Sequence, residues 1–386
     1  MNLRFWIMAC GTALLVASGA FWAFAQRGTP QPNTELLSAP YRGVIAGGQI
    51  EKGLFKIEST GVSTEPIVSA AEAFLGGLTD DQRQRTTFPV DDLEWRKWDN
   101  RHSPPRQGVS FKEMTEDQRK KAFELLQASL SAKGLQLSQD IMKLNGTLAE
   151  LSNNYDEYGE WLYWITVMGK PSKTEPWGWQ MDGHHLVINY FVLGDQVVMS
   201  PVFMGSEPIR ATSGKFAGTE VLQEEQNKGL ALLRSLDGSQ KIQAVLSVSK
   251  TGNNALSQAY QDNLDLDFAG IPASRFDEKQ RNQLLGLIQL FVANNREAHA
   301  KIKMDEVARY LDRTYFAWIG GDTDSSVFYY RIHSPVILIE FDHQNRVAPF
   351  RSREPSREHI HAVVRTPNGN DYGKDLLRQH YERHKH

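Results

Sequence analysis

Apolar residues recur at helical spacing from about residue 62 to 155. Ile67, Ala70, Ala71, Phe74, Leu75 and Leu78 fall three or four apart, and Gly76-Gly77 supplies a stop. Thr115 with Gln118 reads as a capping box ahead of Phe123, Leu125, Leu126 and Leu130, a run that closes at Gly134. Thr79 with Gln82 and Asp277 with Gln280 repeat that signal, so three short strings look alike. Their downstream sequences do not match, and three independent helix starts are a simpler reading than an internal repeat.

The period changes to two further on. Residues 161–168 are aromatic and β-branched and end at Gly169. Residues 186–192 and 196–204 flank Gly194-Asp195, a hairpin signal. Residues 206–270 show no clean period. Leu284, Leu287, Ile288, Phe291 and Val292 mark another buried helix, and strands return at 327–332, 336–342 and 359–365. The expectation is an α+β fold in one integrated domain over residues 61–386. An N-terminal helical layer (62–155) packs on a mainly antiparallel sheet (157–205 and 315–367), with a closing helix over 372–384.

The chain has 386 residues and 43 Lys+Arg against 46 Asp+Glu, so it offers no clustered positive charge of the kind nucleic acid requires. Residues 1–25 read as an export signal: Phe5 to Ala25 carry no charge, and Ala23-Phe24-Ala25 has the small-x-small form of a cleavage site. An uncleaved anchor is the alternative, and the only expected route to a membrane. Residues 26–60, polar and proline-containing at first, read as a linker. The one cysteine, Cys10, falls inside the signal. The mature chain therefore has no disulfide, no thiolate nucleophile and no Cys-ligated metal. The expected location is periplasmic or extracellular.

Histidines carry the candidate chemistry. His359-Ile360-His361 on a strand aims two imidazoles to one face, and Glu340-Phe341-Asp342 on the preceding strand does the same for two carboxylates. Gly183-His184-His185 opens another strand and can bring one imidazole to the same centre. His184, His185, Glu340, His359 and His361 are the candidate ligands for one divalent transition metal, whether Zn, Cu, Fe or Mn. Glu340, Asp342 and Arg365 are the candidate catalytic groups. Trp177 and Trp179, in an expected loop around Gly178, join Arg365 as candidate contacts to a small-molecule substrate. Histidines beside carboxylates also form plain hydrogen-bonded pairs, so a metal-free binding protein with an aromatic and arginine cleft stays open beside a metal-dependent hydrolase or oxidoreductase. No protein partner is evident. There is no Gly-x-Ser-x-Gly elbow, phosphate loop or dinucleotide fingerprint.

Several strings together resemble one family of exported bacterial and fungal proteins, catalogued as domain of unknown function 3500. They are Trp177-Gly178-Trp179-Gln180 leading to Gly183-His184-His185, Tyr330 to Pro335 running into Ile339 to Asp342, and His359 to Arg365 with Asn370-Asp371-Tyr372-Gly373. Pro105-Arg106 with Gly108, Leu130-Ser131 with Gly134, and His380-Tyr381 also resemble it, so the likeness runs from about Ala70 to Tyr381. The resemblance implies one integrated unit and attaches no activity, cofactor or catalytic residue. Val364 stands where the family pattern leads one to expect Trp.

Overall fold

The computed structural model describes residues 34–347 and 349–384. The export signal expected over 1–25 lies outside the described residues. Among them no helix is long and apolar enough to cross a membrane.

Ten elements are built twice. The first unit runs α1 (Glu65–Gly77), α2 (Asp80–Thr86), β1 (Thr87–Phe88), β2 (Val109–Ser110), α3 (Glu116–Ser129) and α4 (Ala132–Ser152). A meander follows: β3 (Tyr163–Met168), β4 (Trp177–Gly183), β5 (Leu186–Leu193) and β6 (Gln196–Ser206). The second unit repeats the order with α5 (Gln223–Ser235), α6 (Gly238–Ala244), β7 (Val245–Ser247), β8 (Ile271–Pro272), α7 (Glu278–Val292) and α8 (Glu297–Arg309). Its meander is β9 (Tyr315–Gly320), β10 (Phe328–His333), β11 (Leu338–Asn345) and β12 (Pro355–Arg365), and α9 (Lys374–Arg383) closes the chain.

All twelve strands join one sheet in the order β1-β3-β4-β5-β6-β12-β11-β10-β9-β7, with β2 on β3 and β8 on β9. Every pair in the first unit has its counterpart in the second. β1 and β7 pair parallel to β3 and β9, β2 and β8 pair antiparallel to the same strands, and both meanders are antiparallel. The units meet where β6 pairs antiparallel with β12, with Val202 opposite Val364 and Phe203 opposite Val363. A pseudo-twofold axis runs through that pair.

The capping boxes that look independent in sequence are the most exact marks of this repeat. Thr79–Gln82 and Asp237–Gln240 open α2 and α6, while Thr115–Gln118 and Asp277–Gln280 open α3 and α7. In each unit the two glutamines also bond to each other. Gln118 Nε2 donates to Gln82 Oε1 at 2.8 Å and to Gly77 O, and Gln280 Nε2 donates to Gln240 Oε1 at 2.8 Å and to Ser235 O. The reading of three unrelated helix starts is thus corrected: the surrounding residues differ, and the side chains that cap the helix starts are shared.

One face of the sheet is buried under α1, α3 and α4 together with α5, α7 and α8, in a single apolar cluster. The helical layer is therefore drawn from both units and is not confined to the N-terminal segment. The opposite face packs a second cluster around Trp95, Trp98, Phe203, Val363 and Tyr372. Residues 34–60 also depart from expectation, because they are built into the domain rather than linking to it. Val44 and Ile45 are buried, Asn368 N–H donates to Val44 O at 2.7 Å, and Ile45 N–H donates to Leu264 O at 2.8 Å.

Candidate metal centre

The connection between β4 and β5 is two residues long, His184-His185, closed by the pair Gly183 and Leu186. His185 takes a left-handed backbone conformation (φ 63°), which residues with a side chain adopt uncommonly and histidine tolerates better than most. It is pinned on both sides: its N–H donates to Asn100 O at 3.1 Å, and its carbonyl accepts from Gly205 N–H at 2.8 Å. The Tyr163 hydroxyl donates to His184 O at 2.9 Å, and a Cβ at Gly183 would strike that tyrosine's ring. Glycine, tyrosine and the strained histidine thus fix one turn together.

His359 and His361 alternate on β12 and face the same side, as period two requires. His359 Nε2 lies 3.2 Å from His185 Nε2 and 3.0 Å from His361 Nε2. The three ligand atoms all fall within 4.8 Å of one another. Zn–N bonds of about 2.0–2.1 Å in tetrahedral geometry separate nitrogens by roughly 3.3 Å, so the spacing suits one shared cation. Gly205, opposite His361 on β6, forms the floor of the site. A Cβ there would meet Ile360 O at 2.5 Å, and His361 Cδ2 and His185 Cδ2 at 3.2 and 3.3 Å.

Hydrogen bonding sets which nitrogen is free. His359 Nδ1 lies 2.7 Å from Asn345 O. A carbonyl only accepts, so Nδ1 carries the hydrogen and Nε2 of the neutral ring is a bare lone pair. His361 Nδ1 sits 3.2 Å from Gln258 Oε1, with the same consequence. Two lone pairs aimed at each other across 3.0 Å repel, and a cation between them turns the repulsion into ligation. Burial holds all three rings neutral. It pulls His359 down to about 4, with Arg346 adding to the shift and the Asn345 carbonyl opposing it. Burial also lowers His185 and His361 well below the usual histidine range, reinforced in both by neighbouring imidazoles. Neutral imidazole is the form that binds metal.

Glu207 stands behind His359, its Oε2 3.6 Å from Nδ1, and accepts from Arg346 Nε at 3.1 Å and Val347 N–H at 3.0 Å. Its carboxyl is raised by burial against the lowering effect of those donors. Sequence reading missed Gly205, Glu207, Gln258 and Asn345. Only Gly205 left a signal, an isolated glycine inside a strand pattern, which marks close approach.

The remaining candidates lie elsewhere. His184 stacks on His185 with ring centroids 3.9 Å apart, but its Nδ1 is turned to Asn145 Oδ1 at 2.8 Å, so it supports the cluster from outside. Glu340 is fully used: it accepts from Leu256 N–H, from Ser257 N–H and Oγ–H, and from the Tyr329 hydroxyl at 2.6 Å. Asp342 does stand opposite His361 in the strand register, yet it is ion-paired with the buried Lys250 at 2.6 Å and accepts from the Asn254 and Ala255 N–H groups. Burial raises Asp342 to about 6 in spite of that lysine. Neither carboxylate joins the three histidines.

Arg365 is correct in face and wrong in role. Its donors go to Ser257 O, Gln258 O, Asp262 and Asp371. It is completely buried, so it braces the 257–262 segment and presents no surface to a dissolved substrate. Trp177 and Trp179 belong to β4, not a loop, and both are fully buried on the helix-covered face. Period two places both indoles inward once the segment is a strand, and they cannot stack on a dissolved ligand.

No curated protein and no solved structure matches this chain. A family model described as a protein of unknown function (DUF3500) matches residues 60–374, from just before α1 through the last strand to the first residue of α9. The protein belongs to that family.

Proposed function

We propose that this is an exported, metal-dependent enzyme whose centre is held by His185, His359 and His361. The observation that carries the reading is the inward aim of the three Nε2 atoms, two of them with their lone pairs fixed by hydrogen bonds on the far side of the ring. Three imidazoles leave a fourth tetrahedral position for water, which a bound Zn²⁺ would acidify toward neutral pH. Hydrolysis is the chemistry favoured here. The same donor set accepts copper, in which case the enzyme is an oxidoreductase. Export rests on the uncharged run and cleavage pattern in residues 1–25. The rival binding-protein reading loses its support, since Trp177, Trp179 and Arg365 are all buried.

Within this site His359 Nδ1 donates to Asn345 O and orients its ring, Gln258 does the same for His361, and Glu207 with Arg346 surrounds the back of His359. The test is elemental analysis of protein purified from metal-replete medium, beside His359→Ala and His361→Ala. One equivalent of zinc or copper, absent from both variants, is expected, and the element decides between hydrolase and oxidoreductase. Sub-stoichiometric metal that the variants leave unchanged overturns the proposal.

A further inference from the structure

The pseudo-twofold axis exchanges the histidine end of the sheet with an end that is built very differently. The β4–β5 connection there becomes the β10–β11 connection, residues 334–337, and β12 becomes β6. In place of three imidazoles this end holds a cavity of 390 Å³, a volume typical of small-molecule sites.

Phe55, Val198, Val202, Phe291, Ile337 and Val364 form its apolar wall, and Lys56, Lys303, Glu306 and Arg309 add charged side chains to the lining. Residues 53–60 cross one side and are tied through Lys56, Glu58, Ser59 and Thr60 to the turn between β5 and β6. Gln196 Nε2 donates to Lys56 O at 2.8 Å, Glu58 N–H donates to Gln196 Oε1 at 3.0 Å, and Ser59 Oγ–H and Thr60 N–H donate to Asp195. The cavity is therefore already formed by the fold, with the cost of ordering its wall met in folding.

One polar group in the lining is unsatisfied. His299 is 4% exposed, and its Nε2 lies 3.3 Å from Asp195 O. That carbonyl can only accept, so Nε2 carries the hydrogen and Nδ1 is an acceptor. Nδ1 is buried and has no hydrogen-bond partner among the described residues. A buried acceptor without a donor is costly, and a ligand that brings a hydroxyl or N–H to this point removes the cost.

We propose that this cavity binds a small, mostly apolar molecule carrying one hydroxyl or N–H donor, which His299 accepts. The site is independent of the histidine centre and needs no metal. Ligand-observed NMR titration of the protein with 4-ethylphenol and with the near-isosteric 4-ethyltoluene, which lacks the donor, tests it with metal loaded and removed. The phenol is expected to bind about tenfold more tightly than the toluene, the worth of one buried hydrogen bond. His299→Leu narrows that ratio to below twofold, and Val198→Trp, which fills the cavity, abolishes binding of both with the thermal transition unchanged. Absence of binding by either probe, or a ratio that His299→Leu leaves intact, overturns the proposal.

Discussion

The two units build the same ten elements in the same order and pair their strands the same way, yet their ends of the sheet have opposite chemistry. At the β4–β5 end, polar side chains point inward and converge: three imidazoles with Asn345, Gln258 and Glu207 behind them. The β10–β11 end instead holds a cavity with valine, isoleucine and phenylalanine on one wall and a single unsatisfied imidazole, His299. The pair at the axis shows how the difference is accommodated. Gly205, opposite His361, has no side chain because two imidazoles occupy that volume. A common scaffold fixes the backbone, and the residues at strand ends decide which ligand each end can take. This is the ordinary separation of fold from function, displayed within one chain.

The sharpest way to break the comparison is to remove one imidazole from each end. His361→Ala is expected to lose the metal altogether, whereas His299→Leu at the cavity end retains it in full, as measured by elemental analysis. Next in size is the pH dependence of the metal-free protein. Burial holds His359 at about 4 in the folded state against about 6.5 when unfolded, and it also holds His185 and His361 well below the usual histidine range. Between those values the unfolded chain binds more protons, so stability is complete above pH 6.5 and falls as the pH drops. The loss is about 1.4 kcal/mol per pH unit for each imidazole. Urea unfolding from pH 7.5 to 5 checks the slope, and bound metal should flatten it.

Gly205→Ala tests the floor of the site. Its Cβ would press on a backbone carbonyl as well as two rings, so a loss of about 2–3 kcal/mol is expected along with weaker metal binding. Thermal unfolding and chelator competition measure the two losses. Gln258→Leu leaves the three ligands and frees the His361 ring, together with the Asn100 amide that shares the same oxygen. Metal affinity should fall about 10–100-fold, read by competition with a chelator. The smallest effect tests the likeness rather than the difference. Gln118→Ala and Gln280→Ala each remove one capping box and one glutamine pair, so each should cost about 1–2 kcal/mol. Costs that differ widely would show that the two units do not carry load alike.

Much of the architecture was legible because its signals are local. Helix starts at Thr79, Thr115 and Asp277, the Gly194-Asp195 hairpin and the alternation of His359 with His361 all follow from the spacing of neighbouring residues. The repeat was visible only as three similar hexamers, because nothing in sequence shows that Asp237–Gln240 occupies the place of Thr79–Gln82. The candidate site was legible in its histidines and misread in its acids. Face alternation correctly put Asp342 beside His361, but the 250–262 segment, which has no period of its own, delivers Lys250 and four backbone N–H groups to Asp342 and Glu340.

The sequence alone therefore determined the elements, their caps, the absence of thiol chemistry after residue 10 and the presence of two imidazoles on one strand face. Tertiary structure decided which imidazole completes the set, which carboxylates are taken, and that one end of the sheet is polar while the other holds a cavity. The physical reason is range. Periodicity and capping are interactions over a few residues, whereas a buried carboxylate or imidazole is assigned its role by whichever donor, acceptor or cation the packed chain brings to it from far away.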